Sequence, residues 1–138
     1  MPIFGKLSMQ RRATLHPDLQ AIADESIKEF DFAIICGRRG YADQEAAFRA
    51  NKSDLHYPHS KHNRTPSEAM DCALYPINWK DIERFEAMGA VFERVAARLL
   101  AEGTITHKIK WAPVIHGGKY RDYPHTELID IEKGESHG

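Results

Sequence analysis

Apolar residues recur at helical spacing in two long stretches of this chain, and elsewhere they gather into short runs. Leu19, Ile22, Ala23, Ile27 and Phe30 fall on one face of a segment opening at Pro17, a residue suited to a first helical turn; the pattern predicts a helix over 17–30. Phe32-Ala33-Ile34-Ile35-Cys36 is rich in strand formers and stops at Gly37, so it reads as a buried strand, with a second helix over 41–50. Residues 51–67 dissolve into Asn, Ser, Asp, His, Pro and Thr, the chemistry of a loop. Loops of that length inside compact domains are usually functional. A short strand follows over 69–75. The longest helix is predicted over 79–101, with Asn78 as its cap and Asp81 favouring the positive end of its dipole. Ile82, Phe85, Met88, Phe92, Val95 and Leu99 make its core stripe, and Gly103 ends it. Strands over 109–114 and 124–129, joined through a turn at Gly117-Gly118, complete the chain. This order predicts an α+β domain: a small antiparallel sheet backed by helices.

Composition narrows the picture only a little. The chain has 138 residues, 42% hydrophobic and 28% charged, enough for one domain that folds without disulfides. No apolar run is long enough for a membrane span. Met1-Pro2-Ile3-Phe4-Gly5-Lys6 lacks the apolar core of a signal peptide, so the expectation is a protein left in the cytoplasm where it is made, with no membrane partner. A net charge of -1, with Arg11-Arg12 and Arg38-Arg39 as isolated pairs, argues against nucleic acid as a partner. Cys36 and Cys72 are too few and too far apart for a thiolate zinc site; both read as reduced, partly buried small hydrophobes.

The candidate chemistry lies in two stretches. Ser60-Lys61-His62 leads on to Asp71, and Asp122-Tyr123-Pro124-His125-Thr126-Glu127 follows much later. Two imidazoles and two carboxylates would suffice to hold a catalytic zinc and leave one carboxylate as a base. Each piece also has a plainer reading. His62 competes with His56 and His59 in the same loop. Asp71 interrupts the apolar run Ala69-Met70-Asp71-Cys72-Ala73-Leu74, where burial demands a partner; a metal, an arginine or backbone amides would each serve. Asp122 could be a solvated turn residue and His125 an edge-strand histidine, although His125 and Glu127 would share one strand face.

Taken in order, Ser60-x-His62, Asp71 and Asp122-x-x-His125-x-Glu127-Leu128 resemble the LAS metallopeptidases, the group of lysostaphin, D-Ala-D-Ala peptidases and the hedgehog signalling domain. Leu15-His16-Pro17-Asp18-Leu19-Gln20 and Gly37-Arg38-Arg39-Gly40-Tyr41-Ala42-Asp43-Gln44 are similar to elements of the D-alanyl-D-alanine carboxypeptidase branch, which includes bacteriophage L-alanyl-D-glutamate endolysins. The resemblance implies a hedgehog/DD-peptidase-like fold, one catalytic domain over 1–138 without a separate cell-wall-binding domain, and peptidoglycan stem peptides as substrate. It implies that His62, Asp71 and His125 bind Zn2+, that Asp122 is the general base, that Arg39 steadies the substrate, and that Ser60 and Glu127 orient the ligands. It further implies a monomer held in the host cytoplasm until another protein opens the membrane. A D-Ala-D-Ala carboxypeptidase or dipeptidase is the alternative within the group, and a non-catalytic zinc module the alternative outside it. Two departures stand out. The spacing His62-x8-Asp71 is two residues longer than the common one, with the extra residues near Pro66-Ser67. The run before Asp122, Trp111-Ala112-Pro113 and Gly117-Gly118-Lys119-Tyr120, only echoes the family's Trp-Gly-Gly-Asp-Trp-like segment, so substrate contacts there are not carried over.

Overall fold

The structure, a computed structural model, describes residues 2–131; the domain range expected from the sequence extends beyond them at both ends. Strands β1 (Phe32–Cys36), β2 (Ala69–Leu74), β3 (Lys108–Trp111) and β6 (His125–Ile129) form one antiparallel sheet in the order β1-β2-β6-β3. Helices α1 (Lys6–Arg12), α2 (Pro17–Ser26), α3 (Tyr41–Arg49) and α4 (Ile82–Ala101) surround it, and β4 (Val114–Ile115) pairs with β5 (Tyr120–Arg121) in a separate hairpin. The α+β architecture read from the residue pattern is the one observed.

Strand periodicity sorts core from chemistry. Met70 and Cys72 of β2 and Leu128 of β6 turn into the core against Leu19, Ile22, Phe92 and Val95 from α2 and α4. Side chains on a strand alternate between faces, so Asp71, His125 and Glu127 project from the other face. Cys72 is fully buried and Cys36 half-buried, both as free thiols.

Several boundaries differ from the pattern's expectations, each for a local reason. Helix α1 has no apolar periodicity, and Leu7 and Met9 are exposed. Tertiary contacts hold it: Ser8 Oγ accepts from the Ile34 amide at 3.0 Å and Arg11 Nη1 donates to the Ile34 carbonyl at 3.0 Å. It thereby covers the open edge of β1, where unpaired backbone groups invite association. Helix α2 stops at Ser26, though Ile27 remains buried and Phe30 packs on Phe32 with ring centroids 5.0 Å apart. Helix α4 starts at Ile82 because Asp81 is the cap, accepting from the Arg84 amide at 3.3 Å, while Asn78 turns to the Lys80 amide. Ile82 consequently falls outside the buried stripe and is exposed. Strand β3 ends at Trp111 because Ala112 takes a left-handed φ of 50°, a conformation costly to residues bearing a Cβ. Gly117 and Gly118, at φ 67° and 85°, make the expected turn of the β4–β5 hairpin.

The close approach of α4 to the sheet rests on Gly89. A Cβ there would sit 2.3 Å from Trp111 Cδ2, and the Trp111 indole in turn donates to the Tyr123 carbonyl at 2.9 Å, beside Asp122. Gly89→Ala should recover about 1 kcal/mol of helix propensity but lose more to overpacking, typically about 1–3 kcal/mol. A fall in Tm of a few degrees is expected by calorimetry; a rise would show that the indole yields freely.

Candidate metal centre

Pairing between β2 and β6 sets Asp71 directly opposite His125. His62 arrives from the loop on a single 3₁₀ turn, Lys61–Asn63, closed by a reciprocal cap: Ser60 Oγ accepts from the His62 amide at 3.2 Å, and the Ser60 amide donates to Asn63 Oδ1 at 3.0 Å. Between His62 and Asp71 the chain is pinned at Ser67, whose amide and carbonyl are tied to Thr14 and His16.

Asp71 Oδ1 lies 3.3 Å from His62 Nε2 and 3.3 Å from His125 Nδ1. A charge-assisted hydrogen bond would be nearer roughly 2.7–2.9 Å. Two ligand bonds of about 2.0 Å at a tetrahedral angle separate their donor atoms by about 3.3 Å, so the spacing suits a metal between them. The opposite ring nitrogens are already committed. His62 Nδ1 is 2.8 Å from the Gly37 carbonyl, and His125 Nε2 is 2.8 Å from Glu127 Oε1. In the neutral rings that a metal requires, hydrogen bonds to these acceptors would place the remaining proton away from Asp71 and leave a lone pair on each ring facing it, the arrangement of metal-bound histidines. Lys61 Nζ steadies Glu127 at 3.2 Å.

Among the described residues, donor atoms within 4.8 Å of one another occur as Cys36–His62–Asp71 and Asp71–Asp122–His125, two groups sharing Asp71. Asp122 Oδ2 is 3.9 Å from His125 Nδ1, and the Asp122 amide is fixed by the Pro113 carbonyl. Cys36 Sγ sits 3.9 Å from His62 Nδ1, the ring nitrogen that also meets the Gly37 carbonyl. A third group, His16–Asp18–His107, lies at the far end of the sheet. There His16 Nδ1 accepts from the Asp18 amide, and His107 Nδ1 lies 2.8 Å from an Asp18 oxygen, so both are spent in fastening the start of α2.

Charge balance follows from these contacts. Burial opposes charge on His62, but the Asp71 carboxylate outweighs it and raises the imidazole to about 10; His125 rises likewise to about 9 through hydrogen bonds to Asp71 and Glu127. Burial also works against Asp71, yet the charge of His62 and the hydrogen bonds from both rings hold it far below the usual carboxylate range. Glu127 falls to about 2 because the His125 hydrogen bond overcomes its burial. Asp122 goes the other way: burial, then the charge of Asp71, pushes it up to about 6. Two carboxylates a few ångströms apart thus have separated roles, one permanently charged and one able to carry a proton.

Arg39, not Arg38, enters the site. Its Nη2 is 3.5 Å from Asp71 Oδ2 and its Nη1 donates to Gln44 Oε1 at 3.0 Å, whereas Arg38 bonds Thr65 outside it. Gln44 is fully buried and also binds Ser53 and the Leu55 carbonyl, so it ties α3 to the loop. Of the competing histidines, His56 pairs with Glu45 at 2.9 Å and stacks on Phe48, while His59 lines the cleft wall. Sequence reasoning brought together the four central residues and Arg39. It missed Gly37, Asn63 and Lys61 as supports. Gly37 acts through its carbonyl and has no side-chain signal, although its place in the Gly-x-Arg element was a hint; a Cβ on it would lie 2.7 Å from the Arg11 carbonyl.

The centre opens on a cleft of about 370 Å³, walled by the 52–55 loop on one side and the β4–β5 hairpin on the other. A second cleft of about 620 Å³, lined by Trp79, Phe85 and Tyr123, adjoins it. No helix among the described residues is long and apolar enough to cross a membrane.

Comparison with known proteins gives the family and the fold. A family model described as phage L-alanyl-D-glutamate peptidase matches residues 3–133. The L-alanyl-D-glutamate peptidase of Escherichia phage T5 is 35% identical over 101 residues, which is 70% of this chain and 73% of that protein. The crystal structure of the Serratia marcescens L-Ala D-Glu endopeptidase ChiX superposes with a TM-score of 0.71, covering 99% of this chain and 95% of that one; at 20% identity it shares the fold.

Proposed function

The chain belongs to the phage L-alanyl-D-glutamate peptidase family, and from that premise we propose that it is a zinc-dependent endolysin cutting peptidoglycan stem peptides between L-alanine and D-glutamate. The observation that carries the metal reading is the pair of oppositely directed imidazoles. Each has one nitrogen held by an acceptor at 2.8 Å and the other turned to the same Asp71 oxygen. His62, Asp71 and His125 would hold the zinc, which when bound supplies a Lewis acid for the scissile carbonyl and lowers the pKa of coordinated water to roughly 7.

The remaining steps belong to the chain's own side chains. Asp122, half-buried beside His125 and able to exchange a proton near neutrality, takes the proton from the attacking water and returns it to the leaving amine. Arg39, braced by Gln44, offers its guanidinium to the charge developing on the carbonyl oxygen. Ser60 sets the turn that aims His62, and Glu127 fixes the tautomer of His125. The enzyme works as a monomer on the wall once another protein has opened the membrane.

Mass spectrometry of purified peptidoglycan after digestion tests the assignment. New N-terminal D-glutamate is expected. Loss of terminal D-alanine instead would mark a carboxypeptidase, and intact stems despite bound zinc would mark a binding module.

A further inference from the structure

We propose that Lys52 is the residue that reads the substrate's charge, binding the free carboxylate of the D-glutamate on the leaving side of the cut. This rests on the peptidase reading above and names the feature of the stem that this cleft recognises.

Substrate chemistry requires such a group. A glutamate residue whose amine lies in the scissile bond has two carboxyl groups, and the stem continues through only one of them. The other remains a free carboxylate within a few bonds of the reacting carbon, whichever it is. A cleft that takes this carboxylate out of water does so at a cost unless a cation or donors meet it there.

The cleft offers few cations for that task. Lys61 is engaged with Glu127 at 3.2 Å and with the Leu128 carbonyl. Arg64 is paired with Glu68 at 2.7 Å. Arg39 already faces Asp71 and Gln44. His59 also lines the cleft, but an imidazole offers at most two N–H donors in a fixed ring plane, against the three of a flexible ammonium. Lys52 lines the same cleft, and among the described residues no side-chain partner engages its ammonium. Its position is also distinctive. The residues common to the basic cleft and the adjoining aromatic cleft are Arg39, Lys52, Ile115 and Asp122, so Lys52 stands at the junction where the reacting groups are.

The backbone beneath Lys52 is held from three directions. Asn51 ends α3 in a left-handed conformation with φ 62°, and the Lys52 amide donates to the Ala47 carbonyl at 2.9 Å. Gln44 fastens Ser53 and Leu55 from below. From across the cleft His116 of the β4–β5 turn bonds Asp54 at 2.7 Å and the Asn51 carbonyl at 2.8 Å. A flexible lysine on a fixed base suits a reader of charge: it can follow a mobile peptide while the loop stays in place.

Two synthetic stem peptides test this, one with the free glutamate carboxylate and one with that carboxylate converted to the carboxamide. The wild-type protein, zinc-loaded, should cleave the carboxylate form with a kcat/KM about tenfold higher, mainly through KM, the size of a partly exposed charge-assisted contact. Lys52→Gln should bring the ratio close to one, and Lys52→Arg should restore most of it. An unchanged preference in Lys52→Gln, or no preference in the wild type, would overturn the assignment while leaving the peptidase reading intact. Wild-type protein that cuts neither peptide nor peptidoglycan would remove both.

Discussion

Asp122→Asn should keep its metal and lose about 10²- to 10⁴-fold in kcat, the usual contribution of a positioned general base. The amide preserves the shape of the side chain, which the Pro113 carbonyl fixes through its backbone, but it accepts no proton. The pH profile gives an independent reading. Burial and the Asp71 charge put Asp122 at about 6, so the wild-type rate should rise as the pH passes upward through that region and the base form appears. A divalent cation beside it draws the value lower, so the acid limb should lie at or below about 6. The sign for stability is the reverse of that for catalysis. A carboxyl whose folded pKa lies above its unfolded one destabilises the fold once the pH exceeds both. At pH 7 the metal-free Asp122→Asn protein should therefore be more stable than wild type, on the order of 2 kcal/mol. An inactive variant with a raised Tm is the expected result, and wild-type turnover in it would remove Asp122 from the mechanism.

His125→Ala should abolish stoichiometric metal binding and activity together. It deletes one of three donors and also strands Glu127, whose hydrogen bond to His125 Nε2 is lost. Removing an outer partner alone, as in Glu127→Ala, should cost roughly 10- to 100-fold in affinity, and loss of the ligand more than that. Binding to the wild type should also release protons. Without metal, His62 at about 10 and His125 at about 9 are both protonated at pH 7, and a metal takes only the neutral rings. Titration calorimetry in buffers of different ionisation enthalpy should find close to two protons released per zinc, with affinity rising steeply with pH below about 9. Unchanged metal content in His125→Ala would exclude it as a ligand. Proton release near zero would mean that the two rings are neutral before the metal arrives.

Legibility differed sharply between kinds of residue. The stripe Phe85, Met88, Phe92, Val95 and Leu99 was readable because helical spacing reports a buried face directly, and all five are buried. Asp71 was conspicuous because a charge inside an apolar run must be compensated. Helix α1 escaped because hydrogen bonds to β1 hold it, and no apolar face of its own betrays it. The start of α4 was set three residues early because two residues able to cap, Asn78 and Asp81, stand close together, and only the packed chain selects between them.

At the site the division is the same. Residue types and their order, read with the family resemblance, were enough to single out His62, Asp71, Asp122, His125 and Arg39, which the fold brings to one place. What the polypeptide written out in a line leaves open is which nitrogen of each histidine faces the centre, that Gly37 and Glu127 decide it, and that among the described residues no side-chain partner engages the Lys52 ammonium at the cleft. Those depend on distances between segments brought together only by the β2–β6 pairing and the fastened 51–55 loop. Local sequence governs the shape of each segment, but the direction of a lone pair is settled by whatever the fold sets against the other side of the ring.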